Sequence, residues 1–221
     1  MNQVKTTNSK HLLQPKNWSQ SSQHERFNII KPYIQGKSVL DLGCAVGHHR
    51  NDWMHGLINE VAASVTGVDL DREAVELLQK RGYNIVWGDA QAIRVNKEFD
   101  VVFAGELIEH LDNFAGFIST AKTHLSRDGV FVLTTPNAFC FTNFLYRFGG
   151  TPRVNKDHTC WFCEDTIQQL LQRHGFVVTN IQYISHQTPG LVRRIISNIF
   201  RLFLPNKLAW NTLLVVTKPI D

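Results

Sequence analysis

Glu106, Glu109 and His110 fall at i, i+3 and i+4 within Glu106-Leu-Ile-Glu-His-Leu111. In a helical turn that spacing puts all three side chains on one face. Any of them is a candidate general base for an acceptor hydroxyl. Joined by an imidazole from Asp157-His158, they become two carboxylates and two imidazoles: Glu106, Glu109, His110 and His158. Such a set suits a divalent cation such as Mg or Mn. A plainer alternative stands beside both, in which Glu109 and His110 cap and anchor a helix.

A second group of residues has the character of a binding site. Ser38-Val-Leu-Asp-Leu42 is a mainly apolar run broken by Asp41, and Gly43-Cys44-Ala45-Val46-Gly47 follows at once. A buried strand running into a glycine turn and then a helix reads this way. Gly43 permits a sharp turn or a positive φ, and Gly47 permits close approach to the helix start, so a nucleotide-like ligand is expected. A dinucleotide fingerprint would place its second glycine where Ala45 stands. Asp41 beside the turn would repel a diphosphate and attract a cation. S-adenosylmethionine, with its ammonium and sulfonium, meets that requirement, whereas a nicotinamide-dependent oxidoreductase does not.

Two more acids extend the same site. Gly67-Val-Asp-Leu-Asp71 ends the second β-like run, and an acid at that strand end accepts ribose hydroxyls, the role assigned to Asp69. Asp71 is read as the cap of the helix that follows. Gly88-Asp-Ala90 closes the third run. There Asp89 would accept an adenine amino group and Ala90 would leave room for the flat ring. For each of these acids an ordinary turn role is the alternative.

The elements that must position these groups alternate. Phe27, Ile30 and Ile34 form a lead-in helix ended by Gly36. Trp53, Leu57, Ile58 and Val61 mark a helix after the glycine turn, and Arg72 to Arg81 another, with Val75 and Leu78 inward. Strands are expected at 38–42, 64–68, 83–87, 99–104, 129–134, 177–184 and 213–217, with further helices around Phe114 to Ala121 and Glu164 to His174. Strands alternating with helices imply a parallel sheet with ligands over the carboxyl ends of its strands.

At 221 residues and 43% hydrophobic, the chain suits one core, giving one domain over 23–221 behind a polar arm, 1–22. The formal charge of +4 is mild and spread, and no Lys/Arg cluster with interleaved aromatics points to nucleic acid. The N-terminus lacks an apolar core, and no apolar run approaches the roughly 20 residues that cross a bilayer. Four cysteines form no disulfide framework, and Cys160-Trp-Phe-Cys163 lacks the partners of a zinc site and the context of a redox site. A cytoplasmic setting follows.

Taken in order, Val39-Leu-Asp-Leu-Gly-Cys-Ala-Val-Gly47, Val65-Thr-Gly-Val-Asp69, Gly88-Asp-Ala90, Phe99-Asp-Val-Val-Phe-Ala-Gly-Glu106 and Gly129-Val-Phe-Val-Leu-Thr-Thr-Pro-Asn137 resemble the class I S-adenosylmethionine-dependent methyltransferases. The resemblance runs from about Phe27 to the C-terminus. It implies an α/β, Rossmann-like three-layer sandwich around a seven-stranded, mainly parallel sheet whose last strand is antiparallel. It also implies that Asp41, Gly43, Cys44, Ala45 and Gly47 line the methionine side of the cofactor, Asp69 and Leu70 the ribose side, Asp89 and Ala90 the adenine, and that Glu106 meets the transferring methyl. The 106–111 segment looks like that of ubiquinone-biosynthesis O-methyltransferases and of enzymes encoded with polysaccharide genes. Glu-x-x-Glu-His with a distant His is also similar to the metal site of small-RNA 2'-O-methyltransferases.

Two stretches bear on the acceptor. Phe139 to Asn155, rich in aromatics near two glycines, has the character of a lid for an apolar or aromatic group, or of a buried cluster. Leu191 to Leu204, within a 189–205 insertion, is a basic amphipathic helix suited to packing or to peripheral membrane contact. The favoured activity is O-methylation of a small-molecule or glycan-type acceptor. Its rivals are a metal-dependent RNA 2'-O-methyltransferase and a non-catalytic, cofactor-binding or membrane-docked module, the latter disfavoured by intact candidate bases.

Overall fold

The computed structural model describes residues 20–148, 150, 154–184 and 203–220. The arm 1–22 (but for Gln20–Ser22) and most of the 189–205 insertion lie outside the described residues. Seven strands form one sheet: β1 (Ser38–Leu42), β2 (Ser64–Asp69), β3 (Ile85–Trp87), β4 (Phe99–Gly105), β5 (Leu125–Pro136), β6 (Phe176–Ile184) and β7 (Thr212–Pro219). Their order is β3-β2-β1-β4-β5-β7-β6. β1 to β5 pair in parallel, while β7 runs antiparallel between β5 and β6. Among the described residues the α-helices are α1 (Gln20–Ile34), α2 (Met54–Val61), α3 (Arg72–Lys80), α4 (Phe114–His124), α5 (Phe141–Phe148), α6 (Glu164–Arg173) and the short α7 (Asn206–Ala209).

Period-two alternation sorts each strand between two helical layers. Leu40 and Leu42 of β1 join Phe117 and Ile118 of α4 and Ile167 and Leu171 of α6 in one core. Val39 faces the other way, into a core with Ile30 and Ile34 of α1 and Leu57 and Ile58 of α2. Asp41 shares Val39's face and is therefore aimed at α2. The same rule divides Thr134, on the side of Val132 and α1, from Thr135, on the side of Leu133 and α4. Apolar burial on both faces explains the near-continuous hydrophobic runs.

Three expectations shift. β3 starts at Ile85 and not at Tyr83, because the Tyr83 ring packs 5.0 Å from Trp53 and Asn84 bonds sideways to Thr66. β5 begins at Leu125, since α4 feeds directly into it and Phe99 pairs with Leu125 before the register jumps to Val101 and Val130. The aromatic stretch after β5 contains a helix, α5, amphipathic and rooted where Asn137 donates to the carbonyls of Lys207 and Trp210, both at 2.8 Å. Asp71 caps α3 as expected, accepting from Ala74 N at 3.0 Å.

Candidate functional site

The glycine turn leaves the carboxyl end of β1 with Gly43 at φ +77° and Gly47 at φ +81°, conformations in which a Cβ is strained. The backbone N–H groups of Gly43 and Cys44 both donate to Val68 O, tying the turn to β2. Asp69 completes the tie: one carboxylate oxygen accepts from Ala45 N at 2.7 Å and the other from Asp71 N at 2.9 Å. Asp41 is 3% exposed and accepts from His55 Nδ1 at 2.8 Å, so its partner is α2 and not solvent. Burial pushes the Asp41 carboxyl upward, and the hydrogen bond and charge of His55 oppose that push. Burial also raises the Cys44 thiol, leaving it a small apolar filler.

Farther along this edge, Asp89 accepts from Gln91 N at 2.8 Å, and Ala90 is buried. Leu70 is 64% and Trp87 52% exposed, and Trp87 Nε1 donates to Leu70 O at 3.0 Å. Arg72 lies over the Trp87 ring at 5.4 Å, and the exposed apolar surface of Leu70 beside an acid is what a flat ring would cover.

The other half of the edge lies over β4 and β5. Glu106 follows β4 at φ +53°, a left-handed conformation uncommon for a side chain of its size. Its N–H donates to Thr134 O at 2.9 Å, and its carboxylate lies 3.9 Å from Arg26 of α1. Arg26 is itself buried and donates to Thr134 Oγ1 at 3.2 Å. One 3₁₀ turn, Ile108–His110, then carries Glu109 inward. Glu109 is 1% exposed and accepts from Thr135 Oγ1 at 3.0 Å. Burial pushes its carboxyl up to about 8, and the neighbouring Glu106 charge adds to the shift.

His158 arrives from a distant segment that is stitched onto this turn. Thr159 N donates to Glu109 O at 2.8 Å, Thr159 Oγ1 to Leu111 O at 2.8 Å, and His110 Nδ1 to Asp157 O at 3.2 Å. The rings of His110 and His158 meet edge to face, their centroids 4.6 Å apart. Burial and the neighbouring His110 hold His158 below the usual imidazole range.

Of the four residues expected to converge, three do. Ligand atoms of Glu109, His110 and His158 lie within 4.8 Å of one another. Glu106 is not in that group, because its left-handed backbone turns the carboxylate toward Arg26. Glu109 Oε1 and His158 Nδ1 are buried without a hydrogen-bond partner, which fits a small cation between them.

Arg26 and His55 escaped the sequence reading, and Thr135 entered it only as part of the Gly129 to Asn137 motif, with no role of its own. Thr134 and Thr135 carried a signal in strand alternation, since successive residues must face opposite layers. Arg26 and His55 carried none, because buried polar residues interrupt the apolar periodicity that marks a helix face. No helix among the described residues is long and apolar enough to cross a membrane.

A family model described as a methyltransferase domain matches residues 22–181. A Mycolicibacterium smegmatis protein named as a probable S-adenosylmethionine-dependent methyltransferase is 30% identical over 154 residues, 68% of this chain and 56% of that protein. The ubiquinone biosynthesis O-methyltransferase of Haemophilus ducreyi is 31% identical over 127 residues, 51% of this chain and 52% of the relative. The chain thus spans about half the length of the curated relatives it matches. Among solved structures, a SAM dependent methyltransferase from Archaeoglobus fulgidus has a TM-score of 0.65 at 20% identity, covering 90% of this chain and 94% of that one. The glycopeptide N-methyltransferase MtfA complexed with S-adenosylmethionine has a TM-score of 0.62 at 16% identity, covering 90% and 88%. At such identities the structural likeness speaks to fold alone.

Proposed function

The chain belongs to the class I S-adenosylmethionine-dependent methyltransferases, and from that membership we propose that it transfers the cofactor's methyl group to a hydroxyl of a small-molecule or glycan-type acceptor. The observation that carries the hydroxyl is the buried Glu109 carboxyl, packed with His110 and His158 past the end of β4. An alcohol must lose its proton as it is alkylated, and Glu109 takes it in its ionised form, a form that becomes more abundant as pH rises toward about 8. The likeness to a ubiquinone biosynthesis O-methyltransferase supports the same choice.

When bound, the cofactor supplies an electrophilic methyl group on a sulfonium, open to in-line attack by an acceptor oxygen. The chain's own residues do the rest. Asp69 has lone pairs left on both oxygens for ribose hydroxyls, with Leu70 beside it. Asp89 and Ala90 receive the adenine edge. Asp41, Gly43, Cys44, Ala45 and Gly47 form the methionine side, and Glu106 closes it toward the acceptor. Glu109 accepts the hydroxyl proton, while His110 and His158 orient the acceptor. A cytoplasmic location, with peripheral membrane contact through 191–204, fits such an acceptor.

The test is methyl-labelled cofactor incubated with phenol, sugar and amine pools. Label on oxygen is expected; label only on nitrogen or carbon overturns the reading. Cofactor uptake with no S-adenosylhomocysteine released from any pool would favour a non-catalytic module.

A metal-assisted form of the reaction, with an RNA 2'-hydroxyl among its acceptors, is favoured by the unpartnered Glu109 Oε1 and His158 Nδ1. A bound Mg or Mn would then supply Lewis-acid polarisation of the acceptor oxygen. In that form, chelation abolishes turnover and leaves cofactor affinity unchanged. Full turnover after chelation rejects it.

A further inference from the structure

The Asp41–His55 pair carries an inference about the donor side. Both residues are buried, Asp41 at 3% and His55 at 1% exposure, and Nδ1 and Oδ2 are 2.8 Å apart. The imidazole is walled by Trp53, ring centroids 5.0 Å apart, and by Tyr83 at 5.9 Å. Trp53 Nε1 in turn donates to Cys44 O at 2.7 Å, so Trp53 holds the glycine turn and His55 the strand just before it, each at one point. The space is reserved: a Cβ on Gly67 would lie 2.6 Å from Cys44 Sγ and 2.8 Å from His55 Cε1. Asp69 is the other charged group that acts on Asp41, and both acids help to hold the neighbouring Cys44 thiol neutral.

A carboxylate this deep is desolvated and tends to take up a proton. Among the described residues, His55 supplies the one side-chain hydrogen bond that opposes this, and its charge acts in the same direction. Removing that donor leaves an unpaired buried acid, which neutralises instead of staying charged. A neutral Asp41 would offer a cationic ligand nothing electrostatic.

We propose that His55 is a positioning residue of the methyl-donor site: it keeps the Asp41 carboxylate ionised and fixed beneath the glycine turn, so that the turn prefers the sulfonium donor over its neutral thioether product. The inference rests on the reading of Asp41 as a cofactor-side residue. It deepens that reading by assigning the donor-over-product preference to a residue of α2 that is itself sealed from ligand.

The experiment is calorimetric binding of S-adenosylmethionine and of S-adenosylhomocysteine to the full chain and to variants, with denaturation midpoints measured in parallel. Both ligands carry the ammonium, and the donor alone carries the sulfonium charge. In His55→Phe, donor affinity should fall roughly tenfold while product affinity changes little. His55→Asn places an amide N–H close to where Nδ1 lies and should retain most of the preference. His55→Gln, whose amide reaches toward the Nε2 position, should lose it. If His55→Phe fails to fold, the Asn and Gln variants decide the matter between them. Equal weakening of both ligands, or retention of the preference in His55→Gln, would reduce His55 to a structural part and overturn the proposal. If Asp41→Asn leaves both affinities unchanged, the cofactor-side reading of Asp41 falls first. If Asp41→Asn loses the preference and His55→Phe keeps it, only the role of His55 falls.

Discussion

The donor and acceptor halves of the carboxyl edge differ in how their polar groups are occupied. Over β1, β2 and β3, the acids already have partners within the chain. Asp41 accepts from His55, Asp69 from the backbone of Ala45 and Asp71, and Asp89 from Gln91. Over β4 and β5, Arg26 Nε, Glu106 Oε1, Glu109 Oε1 and His158 Nδ1 are buried without hydrogen-bond partners. Each such atom costs about 1–3 kcal/mol. A fold tolerates that cost where another role outweighs it, and active sites are the usual place. On the proposed reading, the donor half is a preformed cradle for one fixed ligand, and the acceptor half holds its polar groups in reserve for the reaction.

The sharpest way to break this contrast is Glu109→Gln. The amide keeps the shape and can still accept from Thr135, but it takes no proton. Turnover at saturating cofactor should fall roughly 10²- to 10⁴-fold, as for loss of a general base. Cofactor affinity from calorimetry should stay within about twofold, because the donor half makes no use of Glu109. Comparable turnover in the variant would mean that proton removal happens elsewhere.

Much of the donor half was legible in the sequence, for a physical reason. A parallel strand buried on both faces must be a short apolar run, and the turn after it needs glycine where φ is positive, so Val39 to Gly47 declares the strand and the turn that ends it. The capping role of Asp71 was equally local. The acceptor half depends on contacts between distant segments. The i, i+3, i+4 spacing proposed one face for Glu106, Glu109 and His110, yet the positive φ at Glu106 splits that face. His158 joins Glu109 and His110 only because Thr159 bonds to the carbonyls of Glu109 and Leu111, and no spacing encodes that pairing. α5 was masked by its aromatic content, which favours strand propensity over helix. His55 illustrates a half-legible case: alternation in Val39-Leu-Asp41 aims the acid at α2 without naming what it meets.

A second test sharpens the comparison through stability. Arg26 spans the two halves' support, reaching from α1 to Thr134 and Glu106. Arg26→Met removes the cation, its hydrogen bond to Thr134 and the partner of the half-buried Glu106 carboxylate. Losing a hydrogen bond and a partly screened pair together costs about 1–2 kcal/mol. Urea denaturation should show that loss, with an unchanged slope. A loss below about 0.5 kcal/mol, the ordinary range of surface changes, would mean that the 3.9 Å pair contributes nothing and that Glu106 is already solvated.

The smallest effect has the opposite sign. The Asp41 carboxyl is raised above its ordinary value of 3.8, chiefly by burial. A raised carboxyl holds its proton in the folded state while the unfolded chain has already lost it. Its stabilising contribution is complete below pH 3.8 and declines as pH rises through the folded value. Asp41→Asn does not titrate and its amide oxygen can still accept from His55. Relative to the parent, the variant should therefore gain stability as pH climbs from just under 4, then level off. The gain at neutral pH should be modest, under about 1 kcal/mol, read from denaturation midpoints at several pH values. Weaker donor binding should accompany it, the exchange expected where a site keeps a costly charge for function. A variant less stable than the parent at every pH would show that Asp41 is a structural acid first, and the donor half would lose its claim to being built around a buried charge.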